Sequence, residues 1–410
     1  MHGRPLIGLI AVATLAVGGA ACRDRRSDRR HPPPAGAGAV TDAGAAAAGG
    51  PALRARLECQ RCHDGTGLAA APIDKHCVAC HQQILRRGDP DAPAADVARW
   101  QQHIVSLVAV PPLAGVGGRL RRAWVRDLLL RPVDVRPAMP ATMPRLPITA
   151  AEADAIAAEL VPAEAPPATF DPTAVAAGAA LYRRLGCATC HTFTGAAAVG
   201  APAMVARPAE PILLAPDLAI TRARFQPGAL IPFLRDPRAL APDGVMPGFG
   251  LSEVDAGALA AFVMLTPLAA PAPVAPVVRL PPLTRVVRFA EVEDRVFRRI
   301  CWHCHSSPAY ALGDGGAGNT GGFGYRGRGL DLSTSTGVLS GGTDDDGRRR
   351  SVLAPLADGT PRLIAHLVAR HREVAGELVP GITGMPLGLP PLSLEDIQLV
   401  ESWIAQGRPL

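Results

Sequence analysis

Three things are scarce in this sequence: aromatic residues, lysine and long apolar runs. Phe, Trp and Tyr make up 4% of the 410 residues. That is thin for large self-sufficient cores, so the two to four domains this length accommodates need another apolar body to fold around. Lys75 is the only lysine. Arginine therefore carries nearly all the positive charge of a chain whose formal net charge is +6. The basic residues are scattered, and residues 23–30 mix both signs, which excludes a dedicated nucleic-acid face. The N-terminal apolar stretch from Leu6 to Val17 is too short for a membrane span. Eight of the nine cysteines fall into four short motifs, which leaves only Cys22 over and no framework of disulfides.

Those motifs are what the chain has in place of bulk. Cys59-Gln60-Arg61-Cys62-His63, Cys77-Val78-Ala79-Cys80-His81, Cys187-Ala188-Thr189-Cys190-His191 and Cys301-Trp302-His303-Cys304-His305 each read Cys-x-x-Cys-His. This is the attachment signal for c-type haem: two sulfurs form thioethers with the vinyl groups, and the adjacent histidine reaches the iron. A zinc knuckle or a thioredoxin-like dithiol is the competing reading. Neither needs a histidine directly after every second cysteine. With 11 histidines in 410 residues, four such coincidences fall below roughly one in a million. Four covalent haem c groups are expected, held by Cys59, Cys62, Cys77, Cys80, Cys187, Cys190, Cys301 and Cys304, with His63, His81, His191 and His305 as proximal ligands.

Methionine supplies the second half of the pattern. A thioether is a soft neutral ligand that raises the potential of a haem iron. Of seven methionines, Met139, Met143, Met246 and Met385 precede a proline; Met204 and Met264 read as loop and core. Met143, Met246 and Met385 each stand a few residues before a helix start: Thr149-Ala150-Ala151-Glu152, Ser252-Glu253-Val254-Asp255 and Ser393-Leu394-Glu395-Asp396. With Gly178 and Tyr182 on the helix before Cys187, and Phe262 on the helix after Met246, this order resembles class I cytochrome c. The resemblance implies an all-α fold of three tandem cytochrome c-like helical domains, with Met143, Met246 and Met385 as distal iron ligands. Phe297 and Trp403 fill the corresponding places in the third region.

The expected organisation is a signal peptide at 1–21, a Pro/Ala/Gly-rich tether at 22–50, a di-haem domain at 51–162, a mono-haem domain at 171–267, a Pro/Ala spacer, and a mono-haem domain at 285–410. Small residues ending at Cys22 resemble a bacterial lipobox, which implies a lipid anchor on the periplasmic side of the envelope, in the outer rather than the inner membrane. Ordinary signal-peptide cleavage would leave Cys22 free; both readings export the chain. The first two regions are repeats: the intervals from Leu113 to Pro132 and from Met143 to Thr149 recur from Leu218 to Pro237 and from Met246 to Ser252. Met139 falls outside that register. The interval to Leu113 assigns Met143 to the His81 haem. The His63 haem is then an extra group, with His76 or His103 as its sixth ligand. In the third region His366 and His371 compete with Met385. The Gly-rich tract 313–329 reads as a long surface loop, residues 344–346 as a solvated acidic turn, and residues 291–300 as an amphipathic helix.

Six-coordinate irons leave no room for substrate. The expected function is electron transfer by hopping along four haems, between redox protein donors and acceptors. An enzyme, of which a peroxidase is the nearest kind, needs one open iron with an acid-base group beside it; no such constellation is evident. A cytochrome subunit of a dehydrogenase or oxidase complex keeps the same chemistry and changes only the partner.

Overall fold

The computed structural model describes residues 49–88, 92–139, 143–197, 199–200, 209–270, 275–307 and 316–410. Cys22, Met204, the expected signal peptide and residues 22–48 of the expected tether lie outside them; Gly49 and Gly50, expected as tether, cap and open the first helix instead. In the middle region, two helices cross at Gly178. Helix Val175–Arg184 packs on helix Glu253–Leu265, and a Cβ on Gly178 would collide with the Ala258 carbonyl and the Phe262 side chain. Glycine is required there because backbone approaches backbone. Around the crossing, Tyr182 lies 5.3 Å from Phe262 and Phe193 5.6 Å from it, ring centre to ring centre. Ser252 caps the second helix by accepting the Asp255 N–H at 3.1 Å.

The first region repeats this design. Helix Gly50–Arg56 crosses helix Ala150–Leu160, and Gly50 lies against Glu159, leaving no space for a Cβ. The Thr149 side chain accepts from the Glu152 N–H at 3.2 Å while Glu152 accepts from the Thr149 N–H at 2.9 Å, a complete capping box. Between these helices the first region carries an insertion that the middle region lacks, helices Cys77–Arg87 and Ala94–His103.

The two regions meet through equivalent residues. Leu120 bridges Phe225, the Arg121 N–H donates to the Arg224 carbonyl at 2.9 Å, and the Gln226 N–H donates to the Arg119 carbonyl at 2.8 Å. These are the same places in the two repeats, so the pairing has an approximate two-fold axis. One core serves both: Leu53, Leu57, Val125, Leu129 and Ile156 from the first region pack with Phe225, Leu230 and Ala260 from the second. Gln226, 1% exposed, ties the seam. Its oxygen accepts from the Ala165 N–H at 2.7 Å, and its amide donates to the Gly117 and Leu120 carbonyls at 2.9 and 2.6 Å.

In the third region helix Phe289–Val292 continues as a π-helix over Glu293–Cys301, where an α-helix was expected. The wider turn puts the adjacent Val296 and Phe297 both in the core, each 1% exposed. Phe289 lies 5.6 Å from Trp403, ring centre to ring centre, on the terminal helix Leu394–Ala405. Two short hairpins pair Gly321–Gly322 with Tyr325–Arg326 and Gly342–Thr343 with Arg349–Arg350, so the fold is mostly helical rather than all-α. The first hairpin also corrects the surface-loop reading of the Gly-rich tract. Its Phe323 N–H donates to Glu58 at 3.0 Å, Arg61 stacks over the Phe323 ring at 4.9 Å, and the Tyr325 hydroxyl donates to the Arg145 carbonyl at 2.6 Å. Glycine is used because the turn needs positive φ at Gly321, Gly322 and Gly324. The acidic turn is as expected, with Asp344 and Asp346 each 3.1 Å from Arg350.

Gln226→Ala would strand a buried N–H and two carbonyls at the seam. The expected cost is about 3 kcal/mol, read as a lowered midpoint in chemical denaturation; an unchanged midpoint would show that the seam does not hold the two regions together.

Candidate haem centres

In the first and middle regions each motif leaves its helix through one left-handed residue, Glu58 at φ 53° and Gly186 at φ 70°. A tight turn follows, closed by the His63 N–H on the Cys59 carbonyl at 2.9 Å and the His191 N–H on the Cys187 carbonyl at 3.0 Å. The third motif closes likewise, His305 on Cys301 at 2.9 Å. The second motif opens a helix instead, capped by His76, whose Nδ1 accepts from the Ala79 N–H at 3.2 Å.

Three of the four motif imidazoles share one arrangement; the buried His305 Nδ1 has no hydrogen-bond partner among the described residues. Nδ1–H donates to a backbone carbonyl: His63 to Pro111 at 2.8 Å, His81 to Ser106 at 3.0 Å and His191 to Pro216 at 2.8 Å. This fixes the tautomer and leaves the Nε2 lone pair free for a metal, the usual outer-shell arrangement of a ligating histidine. Burial lowers the pKa of His63, His81 and His191, and takes His305 down to about 4. All four rings are therefore neutral near pH 7, as ligands must be.

The cysteines are half-buried and free of disulfides. Burial pushes the Cys59 and Cys187 thiols up and Cys301 to about 12. That opposes a thiolate-based dithiol centre. Among the described residues no three Cys, His, Asp or Glu side chains are grouped as a metal site. Cys62 and Cys77 approach within hydrogen-bonding reach, and this contact together with burial raises the Cys62 thiol. The first two motifs thus touch through their sulfurs.

The repeat frame belongs to His63, which corrects the assignment made from chain intervals. Pro111 serves His63 as Pro216 serves His191, and the Leu113 N–H donates to the Asp64 carbonyl as the Leu218 N–H does to Thr192, both at 2.9 Å. Met143 packs in the same cluster as Cys59. Counting from His81 misled because the inserted helices happen to restore a similar interval. His76, the cap of its helix, has Nε2 3.9 Å from Asp64, and His103 is exposed at the end of helix Ala94–His103. Met139 is 3% exposed and fills a small core with Ala109 and Leu213. Met246 is half-buried in an extended stretch. Met385 packs against the cluster that holds Cys301 and Trp302. Its N–H donates to the His366 carbonyl at 2.9 Å. His366 donates from Nδ1 to Thr383 at 2.7 Å, whereas His371 is held through Nε2 by Leu392 at 2.7 Å.

Three arginines escaped the sequence reading. Arg119 and Arg224, equivalent in the repeats, are each 8% exposed, and Arg136 lies near them. Burial first, then their mutual repulsion, holds Arg224 well below its ordinary pKa; the same causes bring Arg136 to about 10. The Nε of each has no hydrogen-bond partner among the described residues, and Arg224 stacks over Trp124 at 5.5 Å. Arg136 acts electrostatically on His63 and Arg224 on His191. Asp134 lies beside Arg136, but no carboxylate is paired with Arg119 or Arg224 among the described residues, and buried cations are costly unless an anion completes them. The two propionates of a haem are such an anion, so these residues fit the group that the motifs call for.

Residues 173–263 match the family model described as cytochrome c oxidase, cbb3-type, subunit III. This segment is similar to a cytochrome c domain. It spans the Gly178 crossing, the Cys187 motif, Met246 and Phe262, and it implies haem c binding and electron transfer. No curated protein and no solved structure matches the chain.

Arg224→Gln should lower the midpoint potentials of the haems bound at His63 and His191 by an amount on the order of 1 kcal/mol each, since a nearby buried cation favours the reduced iron. A spectroscopic redox titration reads this directly; potentials that stay put would remove the arginines from the haem environment.

Proposed function

We propose that the chain is a tetrahaem c-type cytochrome that passes electrons between redox proteins on the periplasmic side of the cell envelope. The observation that carries this reading is the order in which the motifs meet. The His63 and His191 sites flank the buried arginines of the seam, Arg136 acting on His63 and Arg224 on His191. The His63 and His81 sites touch through Cys62 and Cys77. His81 in turn lies beside the third region's motif, 6.5 Å from the His303 ring centre. The series runs His191, His63, His81, His305, and it differs from the order along the chain.

Haem iron, when bound, accepts and releases one electron. The protein's part is to hold each group and set its potential. Cys59 and Cys62, Cys77 and Cys80, Cys187 and Cys190, and Cys301 and Cys304 anchor four groups. His63, His81, His191 and His305 each present a neutral ring. Met143, Met246 and Met385 serve the His63, His191 and His305 centres and raise their potentials. His366 stands beside Met385 with its Nε2 unengaged by Thr383, so it is the competitor for the third region. Arg119, Arg136 and Arg224 neutralise propionates.

The reading implies redox protein donors and acceptors and no nucleic acid. A lipid on Cys22 would hold the protein to the outer membrane through a tether at 22–50. Among the described residues no helix is long and apolar enough to cross a membrane.

A pyridine haemochrome assay should return four haems per chain, and EPR of the oxidised protein should show all of them low-spin. Fewer than four haems, or a peroxide-reactive high-spin iron in the wild type, would overturn the carrier reading. Replacing Met143, Met246 or Met385 by alanine should each lower one midpoint potential; if Met385→Ala leaves the titration unchanged while His366→Ala shifts it, His366 is the ligand. For the anchor, Cys22→Ser should move the protein from the membrane fraction to the soluble periplasmic fraction, and an unchanged distribution would dispose of the lipid.

A further inference from the structure

We infer that His303 is the distal axial ligand of the haem carried by Cys77, Cys80 and His81. The inference rests on the four-haem reading and concerns the one iron that the methionines leave unassigned. The His303 and His81 rings stand 6.5 Å apart, centre to centre, with planes at 88°. Two metal–imidazole bonds of about 2 Å, plus about 1 Å from each nitrogen to its ring centre, span roughly 6 Å. His81 has already committed Nδ1–H to the Ser106 carbonyl, so Nε2 carries its available lone pair.

His303 is also held in place. It lies between Cys301 and Cys304, in a turn closed by the Cys304 and His305 N–H groups on the Cys301 carbonyl at 3.2 and 2.9 Å. Next to it Trp302 donates its indole N–H to the Leu332 carbonyl at 3.1 Å and lies under Arg298 at 5.0 Å. Gly316 closes on the turn from the other side: a Cβ there would meet Cys304 Cα at 2.7 Å. The His303 side chain stays accessible on the face turned toward His81. A neutral imidazole donates a nitrogen lone pair to iron and gives up no proton. The two histidines favoured from sequence are placed otherwise: His76 caps its helix, and His103 is exposed at a helix end.

A consequence follows for the path. The loop that attaches the His305 haem would also ligate the His81 haem, so two irons would share the segment from Cys301 to His305. The His81 centre becomes bis-histidine among histidine–methionine centres.

The test is made on the full-length holoprotein, with haem content measured first. His303→Ala should retain four haems, convert one of the four from low-spin to high-spin in EPR, and bind carbon monoxide at that one haem when reduced; added imidazole should restore the low-spin signal. His303→Met, which keeps a sixth ligand, should stay low-spin and move one midpoint potential upward. Four haems that all remain low-spin and unreactive to carbon monoxide in His303→Ala would overturn the ligand assignment and leave the four-haem reading intact. The same spin change produced by His76→Ala or His103→Ala instead would also overturn it. A wild-type protein without haem at Cys77 and Cys80 would overturn both. Should His303→Ala fail to accumulate, an unshifted titration in His303→Met is decisive against the ligand.

Discussion

A backbone carbonyl facing an imidazole Nδ1–H is the interaction on which the other features depend. It costs the fold a polar group buried beside a ring, and in return it fixes the tautomer, the ring plane and the direction of the free lone pair. Pro111, Ser106 and Pro216 do this for three of the centres. Proline suits the task because it has no N–H of its own to satisfy and holds its carbonyl in a fixed direction. Glycine at Gly50 and Gly178 serves the same end at one remove. It lets two helices close over the motif, so that the carbonyl and the ring meet from elements far apart in sequence.

The low aromatic content has its explanation here. On the proposed reading, covalent macrocycles would supply the apolar bulk that the side chains lack, and short helices would suffice to wrap them. The shared core of the first two regions extends the economy: Ala260 and Met264, on a helix that closes the middle region, also pack with the first. Helix Glu253–Leu265 is apolar nearly all round because it faces two cores at once. The buried arginines lie at the seam of the two regions, and their charge would be tolerable there if a haem propionate on each side answered it.

Much of this was legible in the sequence, and the limits have physical causes. The motifs, the Met-Pro turns, the capped helices and the Gly178, Tyr182 and Phe262 crossing are local patterns with fixed spacing, so they could be read from residues alone. The repeat between Leu113 and Leu218 was visible too. Its attachment to His63 rather than His81 was not, because hydrogen bonds decide which motif a proline serves, and intervals along a chain do not show them. The docking of the Gly-rich hairpin depends on Glu58 and Arg145, residues more than a hundred positions away that carry no motif. Arg119 and Arg224 were hidden for a related reason: each is one arginine among many until the two-fold seam buries the pair. His303 was overlooked because it sits at a variable position inside a motif, where any residue suits the attachment chemistry. A histidine in that place was the available signal.

The order of the centres constrains their energetics. Methionine opposite histidine raises a haem potential, and histidine on both sides leaves it lower. With His303 on the His81 iron, the series His191, His63, His81, His305 holds its one low-potential site in an interior position. The buried arginines would raise the His191 and His63 sites further. On the proposed ligands, an electron arriving at either end would rest at the ends and cross the His81 site uphill. Such a step is fast only if its neighbours are close, and both sides of the His81 site have a direct contact: Cys62 with Cys77 on one side, and His303 at 6.5 Å from His81 on the other. The third region thus does more than add a haem. By folding its motif and its glycine hairpin back onto the first region, it would place the far terminus of the proposed series within reach of its weakest step.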